Sequence, residues 1–264
     1  MTPPASLPVL VLAGSRGPDD PLARHAGVAH KCLASVAGRP MLARVVATLA
    51  AMPGLGPIAV SLEAGAPAEV GHLLEATGAA PLVLPAAASP SLSVMAALDR
   101  LGAPLLVTTG DHPLLTADIL GAFLAAAWAR DADVVAGVVR RETIEAELPA
   151  TRRTYLSFRD GDVSGANLFL LANDDARGAV AFWRRVEQER KRPWRIATAF
   201  GPRLFLAYLL RRLDLDAALA RIGPIMGCAA AVVRLDAAAA AVDVDKPGDL
   251  VLAEAILAKR GERA

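Results

Sequence analysis

Leu7-Pro-Val-Leu-Val-Leu-Ala-Gly-Ser-Arg-Gly17 is the stretch around which the chain is organised. A short apolar run, Val9 to Leu12, stops at Ala13-Gly14, and a polar, glycine-bearing loop leads on to Lys31. An uninterrupted apolar run of this length is the pattern of a strand buried on both faces of a parallel sheet. A glycine at its carboxyl end lets the backbone approach a ligand that a side chain would exclude. Ligands of open α/β sheets bind outside the carboxyl ends of the strands. The loop from Gly14 to Lys31 is therefore the first candidate for a phosphate site. Neither G-x-G-x-x-G nor G-x-x-x-x-G-K-[ST] occurs in it. On its glycines alone it is an ordinary strand-to-helix loop, so the rest of the chain has to carry the reading.

Downstream, strands and helices alternate. Met41, Leu42, Val45, Val46 and Leu49 form a helical stripe from Pro40, a residue suited to a first helical turn. Pro53-Gly-Leu-Gly-Pro57 stops that helix. Ile58–Leu62, Leu82–Leu84, Leu105–Thr109 and Val134–Val139 read as strands, with helices at Pro67–Thr77, from Ser89 to about Leu101, and Thr116–Arg130 between them. Ser89 and Thr116 suit helix starts, where a hydroxyl satisfies free N–H groups. This order predicts an α/β fold with a mostly parallel, doubly wound sheet and right-handed crossovers. After about Arg140 the rhythm changes. Asp160-Gly161 signals a turn, so Tyr155–Leu171 reads as a hairpin or short strands added to the sheet. Residues from about 173 to 228 read as a helical insertion, with a basic stretch at Arg184–Arg195. Ala229–Leu235 is a late strand and Pro247–Lys259 a closing helix. With no internal repeat and no long linker, the expectation is one domain over residues 1–264.

Bulk properties exclude several function classes. The chain has 264 residues, 54% hydrophobic and 21% charged, with a formal net charge of +1. That balance gives no electrostatic reason to expect nucleic acid as a partner. Cys32 and Cys228 have no metal-site spacing, which argues against a disulfide scaffold or structural zinc. No secretion signal and no apolar run of membrane-spanning length is seen. A cytoplasmic protein is the expectation. The apolar face at Phe205–Leu210 suits either a core or a homo-oligomer interface.

Asp111 follows an apolar strand directly, in Thr-Thr-Gly-Asp-His-Pro113. A carboxylate there sits at the ligand edge of the sheet, where magnesium takes one or two carboxylates plus substrate phosphates. Its bland alternative is a turn cap before Pro113. Asp243 and Asp245 alternate with valines, so an extended chain points both to one side, and one of them could complete a magnesium site with Asp111. Asp249 suits the first turn of the last helix. Lys31 can offer a point charge to phosphate, and Arg16 or Arg24 a bidentate fork. Each is otherwise a solvated surface charge. Ser91 and Ser93 could read a nucleobase or simply cap a helix.

Together these segments resemble the MobA-like nucleotidyltransferase superfamily, which has a Rossmann-like, nucleotide-diphospho-sugar transferase type of fold. Leu12-Ala-Gly-Ser-Arg16, Lys31 and Ala37-Gly-Arg-Pro-Met-Leu42 are similar to the family's opening motif. Pro90–Leu98 resembles its nucleobase-side segment, and Thr109-Gly-Asp-His-Pro113 its strand-end D-x-P. Ser164-Gly-Ala-Asn-Leu168 resembles its acceptor-side G-x-N, and Asp243-Val-Asp-Lys-Pro-Gly-Asp-Leu250 its closing D-I-D-T-P-E-D-L. The matches run in order along nearly the whole chain. The resemblance implies transfer of a nucleotidyl group from an NTP to a phosphorylated small-molecule acceptor, a sugar or polyol phosphate, with release of pyrophosphate and dependence on Mg2+. It implies that Leu12, Ala13, Gly14, Ser15, Ser91, Ser93 and Gly110 bind the nucleotide. It further implies that Lys31 with Arg16 or Arg24 stabilises phosphate charge, that Gly165 and Asn167 meet the acceptor, and that Asp111 and Asp245 hold the metal. Ser15 replaces the family's second glycine, the gap to Lys31 is longer than in typical members, and Lys246 stands where threonine is usual. The Ser15 substitution and the longer loop motivate a second reading, a nucleotide-binding regulatory module without turnover. A glycosyltransferase of similar fold would carry D-x-D after a central strand, where this chain has Gly-Asp-His-Pro.

Overall fold

The opening strand, β1 (Leu7–Leu12), lies in the interior of a sheet and alternates its side chains between two cores. Val9 and Val11 enter one, and Leu10 enters the other. Burial on both faces is why the run needs no polar residue. The computed structural model describes residues 2–15, 19–149, 151, 153–189 and 201–261. Among these, the sheet has eight strands. Its main path also includes β4 (Leu55–Leu62), β5 (Leu82–Pro85), β6 (Leu105–Thr109), β7 (Val134–Arg140), β9 (Gly161–Leu171) and β10 (Ala230–Leu235). The order across it is β10-β7-β9-β6-β1-β4-β5, with β8 (Leu156–Phe158) paired to β9. β1 runs parallel to both neighbours, with Val9 beside Ile58 and Leu106. The two-residue strands β2 (Ser35–Val36) and β3 (Arg39–Pro40) form a separate small hairpin turned by Ala37 and Gly38.

Helices cover both faces, as a doubly wound sheet requires. One core packs α2 (Met41–Ala51) and α5 (Ala117–Trp128) through Leu42, Leu49, Leu120 and Phe123. On the opposite face α4 (Pro90–Leu101) and α7 (Arg177–Glu189) bring Val94, Leu98 and Val180 onto Leu10, Leu105, Val107 and Leu171. Thr116 caps α5 by accepting from Ile119 N, and Ser89 caps α4 by accepting from Leu92 N. The remaining helices are α1 (Pro21–Ala26), α3 (Ala68–Ala76), α6 (Arg141–Glu147), α8 (Pro202–Leu209), α9 (Leu215–Met226) and α10 (Pro247–Lys259). Helices α7 to α9 occupy the span read as a helical insertion; residues 190–195 of its basic stretch lie outside the described residues. No described helix is long and apolar enough to cross a membrane. Leu206, Leu209 and Leu210 are exposed.

The strand after Asp160 does more than extend the sheet. β9 is a single 11-residue strand wedged antiparallel between β6 and β7. Leu168 and Leu170 point into the first core, Phe169 and Leu171 towards the second. Near its middle one residue of β7, Gly137, faces Ala166 to Leu168, and Asn167 takes a positive φ of 50°. This is a bulge, which re-aims a side chain. β4 also starts earlier than its apolar run suggests, with Leu55 beside Leu7 and Gly56 close enough that a Cβ would lie 3.3 Å from the Leu7 backbone.

Gly178 at the start of α7 packs against the end of α9: a Cβ there would lie 2.1 Å from the Met226 carbonyl oxygen. Backbone cannot yield as a flexible side chain can, so Gly178→Ala should cost about 1–3 kcal/mol. Gly71 in α3 has open space around its Cβ position. There Gly71→Ala should stabilise by about 0.4–1 kcal/mol. Urea unfolding midpoints check both, and the two variants should shift in opposite directions.

Candidate active site

The carboxyl ends of β1, β4 and β6 lie side by side, and the chain leaving them is stitched together. Gly110 N donates to Leu12 O at 2.8 Å, and Ala13 N to Ser61 O at 3.0 Å. Beside this edge opens a cleft of about 750 Å³. Leu12, Gly14, Ser15 and Lys31 line one side of it, and Ser89, Ser93 and Thr109 another. Asp111 and Asp245 are also part of its wall, and Asn167, Phe169 and Trp183 form its far end.

Lys31, Asp111 and Asp245, far apart in the sequence, meet here. The Lys31 Nζ donates to Asp111 Oδ2 at 2.6 Å and to Asp245 Oδ1 at 3.3 Å. Burial works against the ammonium, but Asp111 and Asp245 outweigh it and hold its pKa above the usual lysine value. The backbone joins two of these three segments, since Val244 N donates to Asp111 O at 2.8 Å. Lys31 sits in a 3-10 turn capped by His30, whose Nδ1 accepts from Cys32 N at 3.1 Å. The other imidazole nitrogen lies 3.1 Å from Glu63 Oε1, and Glu63 Oε2 accepts from Ser15 N at 3.1 Å. Glu63 thus ties the loop after β1 to the turn that carries Lys31.

Asp243 and Asp245 alternate with Val242 and Val244, which are fully buried, yet the partners of the two carboxylates differ. Asp243 is taken by Arg153, which contacts its carboxylate, donates to its carbonyl at 3.2 Å and lies 3.7 Å from Asp249. Burial raises the Asp243 pKa against the opposing pull of Arg153. The Asp245 side chain remains 55% exposed and faces the cleft. Asp249 accepts from the Asp245 and Lys246 backbone N–H groups, fixing the start of α10.

The other candidates divide. Leu12, Gly14, Ser15, Ser93 and Asn167 line the cleft. Ala13, Ser91, Gly110, Gly165 and Arg24 are not among its lining residues. Ala13 is buried, and Gly110 packs against it and Leu42 so closely that a Cβ would meet them at 3.1–3.2 Å. Ser91 turns away to bond Glu187 of α7 at 2.5 Å and Ser89 at 2.9 Å. Gly165 is exposed beside Val138, and Arg24 is exposed in the last turn of α1. Arg16 lies outside the described residues. Glu63, Arg153, Phe169 and Trp183 enter the site or its support without having been read from the sequence. Glu63 was within reach, because it directly follows β4 as Asp111 nearly follows β6. Arg153 carries no local signal.

The donor set suits magnesium. Asp111 Oδ1 is buried and has no hydrogen-bond partner among the described residues. A buried carboxylate oxygen left in that state is costly unless something else takes it. Asp245 offers a second, open carboxylate. Among the described residues no group of three or more His, Cys, Asp or Glu could hold a metal ion. Two carboxylates supplemented by substrate phosphates are magnesium's usual arrangement, rather than an all-protein cage.

Next to Asp111, His112 is buried, and burial pushes its pKa from 6.5 down to about 4. Between those values the unfolded chain holds a proton that the folded chain does not, so stability rises with pH. Acidification through that window should cost about 1.4 kcal/mol per pH unit from this group alone. Urea unfolding of the wild type and His112→Gln across the window measures it; the variant should lose that part of the slope.

Comparisons with known proteins bear on the family and the fold. Residues 9–213 match the model of the MobA-like NTP transferase domain. A hypothetical transferase from Thermus thermophilus is 34% identical, with a TM-score of 0.77 over 93% of this chain and 99% of that one. Two more distant structures share the fold. The 4-diphosphocytidyl-2C-methyl-D-erythritol synthase of Anaerococcus prevotii is 12% identical, with a TM-score of 0.60 and 96% of each chain covered. A CMP:2-keto-3-deoxy-manno-octonic acid synthetase complexed with CTP is 13% identical, with a TM-score of 0.57 over 97% of this chain and 98% of that one. No curated protein matches the sequence. A strand-end cleft with converging lysine and carboxylates, and a family match over most of the chain, identify it as a nucleotidyltransferase belonging to the MobA-like NTP transferase family.

Proposed function

We propose that the chain transfers an NMP group from an NTP to a sugar or polyol phosphate, with magnesium, and releases pyrophosphate. The observation that carries this is the meeting of Lys31, Asp111 and Asp245 beside the Gly14 loop, with one Asp111 oxygen unpartnered. A Cβ on Gly14 would meet nothing within 4 Å, so the protein's own packing does not require glycine there. A triphosphate lying against the backbone would.

In this reaction an oxygen of the acceptor phosphate attacks the α-phosphorus. The bond from that phosphorus to the bridging oxygen of pyrophosphate breaks, and pyrophosphate leaves with the electron pair. The acceptor is ionised at neutral pH and needs no general base. Lys31, kept protonated by its two carboxylates, offsets charge on the transferring group and the leaving pyrophosphate. Asp111 and Asp245 would hold magnesium, which when bound supplies Lewis acidity and a template. Gly14 and Ser15 orient the triphosphate, and Ser89 and Ser93 border the nucleoside end. Positioning and preorganised charge supply the rate. The two distant fold neighbours direct the choice of donor. One is named as a diphosphocytidyl-methyl-erythritol synthase and the other is complexed with CTP, so CTP is the first donor to test.

Pyrophosphate release is measured with magnesium, each of the four NTPs and a panel of sugar and polyol phosphates. One donor–acceptor pair should release it, and Asp111→Asn, Asp245→Asn and Lys31→Ala should each lose at least about 100-fold in kcat/KM. Their circular dichroism should stay native. NTP-induced thermal stabilisation without release from any pair would point to the regulatory module. Neither release nor stabilisation would overturn both readings.

A further inference from the structure

The cleft does not end at Asn167. Phe169, Trp183 and Val107 line it and also line a second cavity, of about 180 Å³, beneath α7. The walls of this second cavity are almost wholly apolar: Leu219 and Met226 come from α9, Ala179 from α7 and Ala230 from β10.

Strand geometry explains the change of character. Side chains two apart on a strand share a face. On β6 that face carries Thr109 at the cleft and Val107 at the junction. On β9, running the other way, it carries Asn167 at the cleft, Phe169 at the junction and Leu171 in the cavity. Polar groups thus stand near the carboxyl edge of the sheet, and apolar ones lie below. Val107 is four residues before Asp111, which places the junction on the order of 10 Å from the carboxylates. Trp183 stacks on Phe169 with ring centroids 6.1 Å apart and planes 23° apart. Helix α7, which carries Trp183, is pinned to α4 by Glu187 on Ser91 at 2.5 Å and by Arg177 on Asp99 at 2.6 Å.

We infer that the acceptor carries an apolar portion, an alkyl or ring group of about six carbons, seated in the cavity beneath Phe169 and Trp183 while its phosphate faces Lys31. This rests on the nucleotidyl-transfer reading and narrows its acceptor class to phosphomonoesters with a polar phosphate end and an apolar far end. The size follows from the volume: an apolar cavity of about 150 Å³ stays dry and accepts benzene. A bare triose or tetrose phosphate would leave these walls unfilled.

The test is calorimetric titration of the full chain with n-alkyl phosphates from ethyl to octyl, alongside NTP-induced thermal stabilisation. Affinity should change little up to about butyl, whose chain only spans the cleft, and then tighten about fourfold per added methylene through octyl. Ala179→Leu and Ala230→Leu fill the cavity from two different elements, since Ala230 of β10 lies beside Val134 on the face that lines it. Each should flatten that rise while keeping the wild-type NTP stabilisation, which also reports an intact fold. Equal binding across the series, no binding of any member, or a rise unchanged in both variants would overturn the apolar subsite. A rise that the variants abolish, without NTP stabilisation in any of the proteins, would support the subsite and overturn nucleotidyl transfer instead.

Discussion

The ammonium of Lys31 between two carboxylates is the constraint on which the rest of the site depends. Lys31 and Asp111 each keep only 13% of their side-chain surface exposed, so neither charge is well hydrated. A buried charge stripped of its partner typically destabilises by several kcal/mol. The loop after β1, the end of β6 and the segment before α10 must therefore arrive together. The hydrogen bond from Val244 N to Asp111 O fixes part of the same alignment through the backbone. Glu63 extends it by holding Ser15 N and the His30 that caps the Lys31 turn. A site assembled in this way is positioned before any substrate enters.

A second constraint acts at the far end of the cleft. Helix α7 lies across the sheet face with Gly178 in contact with the end of α9, and it presents Trp183 and Glu187, one turn apart, towards Phe169 and Ser91. The same helix closes the cavity below and borders the cleft above. Its seat on α4 therefore governs both spaces, although none of its residues belongs to the carboxylate cluster.

Most of the architecture was legible in the sequence because burial writes itself into apolar runs. Val9–Leu12 and Leu105–Thr109 are strands flanked by helices on both faces, and their positions followed directly. The position of Asp111 was legible for a related reason, since a residue just past such a run lies at the carboxyl edge of the sheet, although the run alone does not separate a ligand from a turn cap. What escaped was pairing across distance. Nothing around Asn173 announces that the preceding strand lies between β6 and β7, because an apolar stretch buried on both faces looks alike at an edge or in the centre. Asp243 and Asp245 are equivalent by alternation, and only Arg153, about ninety residues away, separates them. Ser91 was read as a nucleotide contact, but its hydroxyl is committed to Glu187, a partner that exists only once α7 has folded onto α4.

The antiparallel strand in the middle of the sheet also bears on how the chain is made. Synthesis delivers β1, β4, β5, β6 and β7 before β9, which must then enter between two strands already formed. Until it does, β6 and β7 each present an open row of N–H and C=O groups on an apolar strand. Such edges recruit other chains. The α6 helix and the β8 hairpin follow β7 directly and bring β9 back beside it, which keeps the delay short. The interval on the ribosome, more than the finished fold, is when this chain is most open to association with its neighbours.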